Sequence, residues 1–103
     1  MADENRKNEI YAELSRLKEV SRQLEEIAQG VKKLAEGEYE NSLLAVKESW
    51  SGDNAQVFLG KAGKIGEDVA DTASKLSEAA RTLESVAQTY ADAELRAIET
   101  AKQ

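Results

Sequence analysis

Apolar residues recur along the first half of the chain in steps of three and four. From Ile10 they fall on Leu14, Leu17, Leu24, Ala28, Val31, Ala35, Tyr39, Leu43, Val46 and Trp50, with Ser21 as the one polar member of the series. The mean step is about 3.6 residues, the period of a straight α-helix. The phase passes Gly30 and Gly37 without resetting. The spacing therefore predicts one helix from about residue 8 to 49, with a kink near Gly37 as the alternative.

A second stripe runs through Phe58, Ala62, Ile65, Val69, Thr72, Leu76, Ala79, Leu83, Val86, Tyr90, Ala93 and Ala97. Its steps alternate four and three, a period of about 3.5 that suits a gently left-handed helix pair. This predicts a second helix from about residue 54 to 98, with a frayed tail to 103 where apolar residues run out. Asp53 has the chemistry of an N-cap, and Gln56 three residues on completes a capping box. Residues 50–53 form the turn. A link so short returns the second helix antiparallel to the first, so the whole chain, residues 1–103, is expected to be a single all-α domain, a helix-turn-helix hairpin.

Two facing stripes do not enclose a core. Val20, Ile27, Leu34 and Leu44 flank the first stripe, and Leu59, Gly66, Ala73, Ala80 and Ala87 form a strip of mostly small residues beside the second. With the main stripes facing each other, these flanks would lie partly in water unless a second hairpin covered them. The expected unit is a dimer closed into a four-helix bundle. Its core would draw on Leu17, Leu24, Ile27, Val31, Leu34, Leu43 and Val46 of the first helix. From the second helix it would take Phe58, Ile65, Val69, Leu76, Leu83 and Val86.

Composition narrows the chemistry. With 14 Lys and Arg against 20 Asp and Glu, the net charge is −6, and the basic residues are scattered among acidic ones. Such a surface repels phosphate backbones, so nucleic acid is not an expected partner. The chain has no cysteine and no histidine, which removes disulfides, thiolate nucleophiles and the usual zinc ligands. Acidic runs such as Glu25-Glu26 read as solvated helix faces, and no metal or other cofactor is expected. No nucleophile, base and oxyanion site can be assembled, so no enzyme activity is expected. Met1 to Ile10 lacks the apolar core of a signal peptide, and no run of roughly 20 apolar residues could span a membrane. Cleavable-signal export is thus not expected, and the protein is cytoplasmic at least at first.

Three short motifs stand out. Gly60 to Gly66 carries three glycines and two lysines, but lacks the Gly-Lys-Ser/Thr of a phosphate loop. It reads as close helix packing or a soft stretch, since each glycine costs about 1 kcal/mol of helix propensity. Trp50-Ser51-Gly52 marks the turn, where glycine permits reversal and tryptophan would plug the bundle end. Tyr90 and Glu94, four apart, share one face near the end of the second helix.

The order and spacing of the last two motifs, on a two-helix chain of this length, resemble the Trp-x-Gly family of small bacterial proteins exported by the type VII (ESX-like) secretion system. Trp50 and Gly52 match that family's turn motif, and Tyr90 and Glu94 its Tyr-x-x-x-acid export motif. The resemblance implies a secreted substrate or co-secreted helical partner with a bipartite export signal. The turn of one subunit would lie near the tail of its antiparallel partner, and an export ATPase would read the composite. Trp50 and Tyr90 are separated within one chain by some 60 Å of helical rise, so only a partner brings tip beside tail. The long first helix is similar to that of companions of larger type VII toxins, which leaves homodimer and heterodimer both open. The rival reading is a cytosolic helical adaptor that uses the same faces without export.

Overall fold

A computed structural model describes residues 2–102, so Met1 and Gln103, the two ends of the expected domain, lie outside the described residues. The described chain is helical almost throughout. α1 spans Ala2–Glu36, α2 Glu38–Ser49 and α3 Asp53–Lys102. α1 begins before the apolar stripe does. Arg6 and Lys7, in its first two turns, form ion pairs with Glu94 and Glu99 of α3. α3 likewise continues past Ala97 to Lys102, where fraying was expected.

The first helix is interrupted at Gly37, the lesser of the two expectations. Gly37 has φ −108 and ψ −89, outside the helical range. Hydrogen bonds of helical span persist on both sides: Gly37 N–H donates to Lys33 O at 2.9 Å, and Asn41 N–H donates to Gly37 O at 2.9 Å. A Cβ at this position would stand 2.8 Å from the Lys33 carbonyl oxygen, so the bend needs a residue without one.

α2 ends at Trp50, whose extended backbone (φ −139, ψ 128) stops the helix while its N–H still reaches Val46 O. Gly52 completes the reversal at φ +109, a conformation that only glycine adopts readily. Gln56 N–H donates to Gly52 O at 3.1 Å, closing the first turn of α3. Asp53, expected as the cap, stands one residue further in, where its carboxylate complements the helix dipole.

The chain clusters into two units. One unit groups α1 up to Glu25 with α3 from Glu78 onward. Its helices run antiparallel, with Arg6 beside Glu94 and Ser21 beside Ala80. Ile10, Ser21, Ala80, Ala87 and Ala91 are buried between them. The Ser21 hydroxyl donates to the Ala80 carbonyl oxygen, so the polar residue that breaks the first stripe is paired where it is buried. The other unit, Glu26–Ser77, holds the end of α1, α2 and the start of α3, also antiparallel. Ala28, Ala35, Ala55, Ala62, Ala73 and Ser77 are its buried residues.

These seams correct one expectation. In α3 the alanines of the small-residue strip face inward and most large residues of the stripe face out, with Leu76 and Leu83 half-buried and Ala62 buried. Ala73, Ala80 and Ala87 are buried, whereas Phe58, Ile65, Val69, Val86 and Tyr90 are exposed. Small side chains let two helix backbones approach closely, and a pair of helices has no third wall to shelter large ones. In α1 the expected stripe holds at Ile10, Ser21, Ala28 and Ala35, while Leu17 and Val31 sit at its exposed edge.

Candidate functional site

None of the thirteen expected bundle residues is fully buried in the single chain. Leu17, Ile27, Val31, Leu34, Phe58, Ile65, Val69 and Val86 are exposed, and Leu24, Leu43, Val46, Leu76 and Leu83 are half-buried. In the unit Glu26–Ser77 these residues converge from both helices. Val31 and Leu34 of α1 and Ile65 and Val69 of α3 line one crevice of about 200 Å³ with no charged side chain in its wall. Ala35, Tyr39 and Gly66 form its floor. In the other unit, Leu17 and Val20 of α1 and Val86 and Tyr90 of α3 are exposed. Exposed apolar faces of this breadth are characteristic of interaction surfaces.

Tyr39 braces the floor. Its hydroxyl donates to Ala62 O at 2.7 Å, and its ring lies against Gly66, where a Cβ would come within 2.9 Å of the ring. Glycine at 66 is therefore a packing requirement, whereas Gly60 and Gly63 face open space. Of the two readings of the glycine-rich stretch, close packing describes Gly66 alone.

At the turn, the Trp50 ring lies against Phe58 with centroids 5.6 Å apart and planes tilted by 49°. Trp50 remains 43% exposed in the single chain. Both rings belong to the unit Glu26–Ser77. They offer an aromatic pair beside the positive-φ Gly52.

Tyr90 and Glu94 belong to the other unit, on successive turns of α3. Glu94 accepts a hydrogen bond from the Arg6 guanidinium at 2.7 Å. This bond, and after it the neighbouring Tyr90 phenol, holds the Glu94 carboxyl below its ordinary pKa. The same contact with Glu94 raises the Tyr90 phenol. Arg6 also pairs with Glu9 at 3.2 Å, and its pKa is raised chiefly by Glu94. The tail motif is thus a three-residue cluster, Tyr90-Glu94-Arg6, in which Tyr90 is 62% exposed. Arg6 went unread in the sequence because apolar periodicity does not register a cation. Its signal was positional: one helical turn before Ile10, the stripe extrapolates onto it.

The chain offers an aromatic turn, an acid-phenol tail and broad apolar faces. Among the described residues no group of acidic side chains could hold a metal ion. No helix among them is long and apolar enough to cross a membrane. A family model described as proteins of 100 residues with WXG matches residues 9–95. No curated protein and no solved structure matches the chain.

Proposed function

The chain belongs to the WXG100 family of small type VII secretion proteins, and from that membership we propose that it is a secreted helical partner whose work is binding. Members of the family leave the cell by the type VII system without a signal peptide, typically pair with related helical proteins, and are secretion substrates rather than enzymes. The observation that carries the reading is the inversion of the seams: alanines inside, and Ile27, Leu34, Phe58, Ile65 and Val86 in water. A second helical hairpin laid on these faces would remove them from water and complete a four-helix bundle. Burying each large side chain is worth about 1.5–3 kcal/mol.

Within that assembly Trp50 and Gly52 form the turn half of an export signal, and Tyr90 and Glu94 the tail half. An antiparallel partner would set one chain's turn beside the other's tail, and the export ATPase would read the pair. Support comes from the exposure of both aromatic residues and from Arg6, which fixes the Glu94 carboxylate in place. The partner is a second copy or a related hairpin, and a larger co-secreted toxin fits the same face. The test compares secreted with cellular protein for Trp50→Ala and Tyr90→Ala. Loss of secretion at unchanged cellular level is expected for both. Undiminished secretion of both variants, or a native protein that stays monomeric with each candidate hairpin, would overturn the proposal.

A further inference from the structure

The unit Glu26–Ser77 has a second concave face, on the other side of Tyr39 from the uncharged crevice. Ala35, Tyr39 and Gly66 line both concavities, so they form the wall that divides them. The second groove has a volume of about 450 Å³ and an apolar bed that includes Leu43, Leu44, Leu59 and Ala70. Its rim is charged. Glu36 and Glu40 stand on one side, Glu67 and Asp71 on the other, with Lys47 as the only basic residue. A neighbouring concavity beneath Trp50 and Gly52 shares Lys47 and Leu59 with it, so the depression continues to the turn. Glycine carves this path: Gly63 lines the groove and Gly60 its extension, and neither has an atom within 4 Å of where a Cβ would be.

We propose that this groove docks a basic amphipathic helix of a different protein, so that the chain bridges two partners on opposite sides of one unit. The apolar bed supplies a hydrophobic seat, and Leu44, 52% exposed, is its largest uncovered side chain. The rim selects the occupant by charge. Four carboxylates against one ammonium favour lysine or arginine flanking an apolar face, the helix-in-groove mode. A second copy of this chain is disfavoured as the occupant, because its net charge of −6 opposes an acidic rim. The uncharged crevice across the wall carries no such restriction.

The probe is a synthetic helical peptide of about 18 residues with leucine on one face and lysine on the other. A matched peptide carries glutamate in place of lysine. Binding to the full-length protein is followed by the emission of Trp50, the sole tryptophan, and by amide chemical shifts. The lysine peptide is expected to bind, to shift amides of residues 36–47 and 59–71, and to weaken severalfold as salt rises past the range where exposed charges are screened. The glutamate peptide is expected not to bind. Gly63→Leu fills the groove from a site with open space, so helicity should survive while affinity falls by about tenfold or more, which is 1.4 kcal/mol at the least. Glu40→Gln with Glu67→Gln, both on the exposed rim, should weaken binding and flatten its salt dependence. Equal binding of the two peptides, undiminished binding to the Gly63→Leu protein, or shifts confined to Val31, Ile65 and Val69 would overturn the proposal. So would a change in the mass of the protein alone on Gly63→Leu, since the groove would then be a contact between copies.

Discussion

Gly63 and Gly66 are three residues apart on the same helix, yet replacing each with alanine should move stability in opposite directions. In both cases alanine gains about 1 kcal/mol of helix propensity over glycine. At Gly63 nothing stands within 4 Å of the new methyl, so the gain is kept whole. At Gly66 the methyl would sit 2.9 and 3.0 Å from two ring carbons of Tyr39. The ring cannot simply swing away, because its hydroxyl is held by the Ala62 carbonyl at 2.7 Å. Overpacking of this kind costs about 1–3 kcal/mol, and breaking the tyrosine hydrogen bond costs about 1 kcal/mol more. Against the propensity gain, Gly66→Ala should destabilise by about 1–3 kcal/mol. The two variants should thus differ by about 2–4 kcal/mol, or roughly 8–30 °C in Tm for a chain of this size. Thermal and urea unfolding at one protein concentration measure this, concentration being fixed because association shifts the midpoint. Equal stabilisation by both substitutions would show that Tyr39 is not anchored and that the floor of the crevice yields freely.

Other outcomes follow from the seams and the tail cluster. Ala80→Leu should destabilise by about 1–3 kcal/mol, because it inserts a branched side chain where the Ser21 hydroxyl meets the Ala80 carbonyl; urea unfolding reads it directly. Ile65→Ser separates a lone chain from an assembled one. Ile65 is 57% exposed, so an isolated hairpin should lose little, whereas a covered face should lose about 1–3 kcal/mol together with the larger mass in solution. Arg6→Gln should raise the Glu94 carboxyl towards its ordinary value, measured by carbon NMR titration, since the Arg6 hydrogen bond is the main cause of its depression. The sign for stability follows. A carboxyl with a depressed folded pKa contributes stability above its unfolded pKa and loses it as pH falls through the folded one. The native protein should therefore lose more stability on acidification through the carboxylate range than the Arg6→Gln protein does.

The two apolar stripes and their periods made the helices legible, and Gly52 made the turn legible. Which side of α3 faces inward was not. Thr72, Ala79 and Val86 belong to the stripe, and Ala73, Ala80 and Ala87 to the strip beside it; each is the next residue along, a rotation of about 100°. Both series have the same period, so periodicity cannot choose between them. Ranking by size puts Ile65, Val69 and Val86 inside, which is right for a domain with several walls. A pair of helices obeys a different rule: close approach rewards alanine, and apart from Ile10 the large side chains are left half-buried or exposed. The bend at Gly37 was legible only as an alternative to a continuous helix, because a change in backbone angle leaves the apolar phase intact. Arg6 and the acidic rim escaped because they are defined by neighbours on another helix rather than by spacing along their own. On the proposed function, the feature that misleads a single-chain reading is the one association would use: a seam of small residues with large ones turned outward is the arrangement a second hairpin would cover.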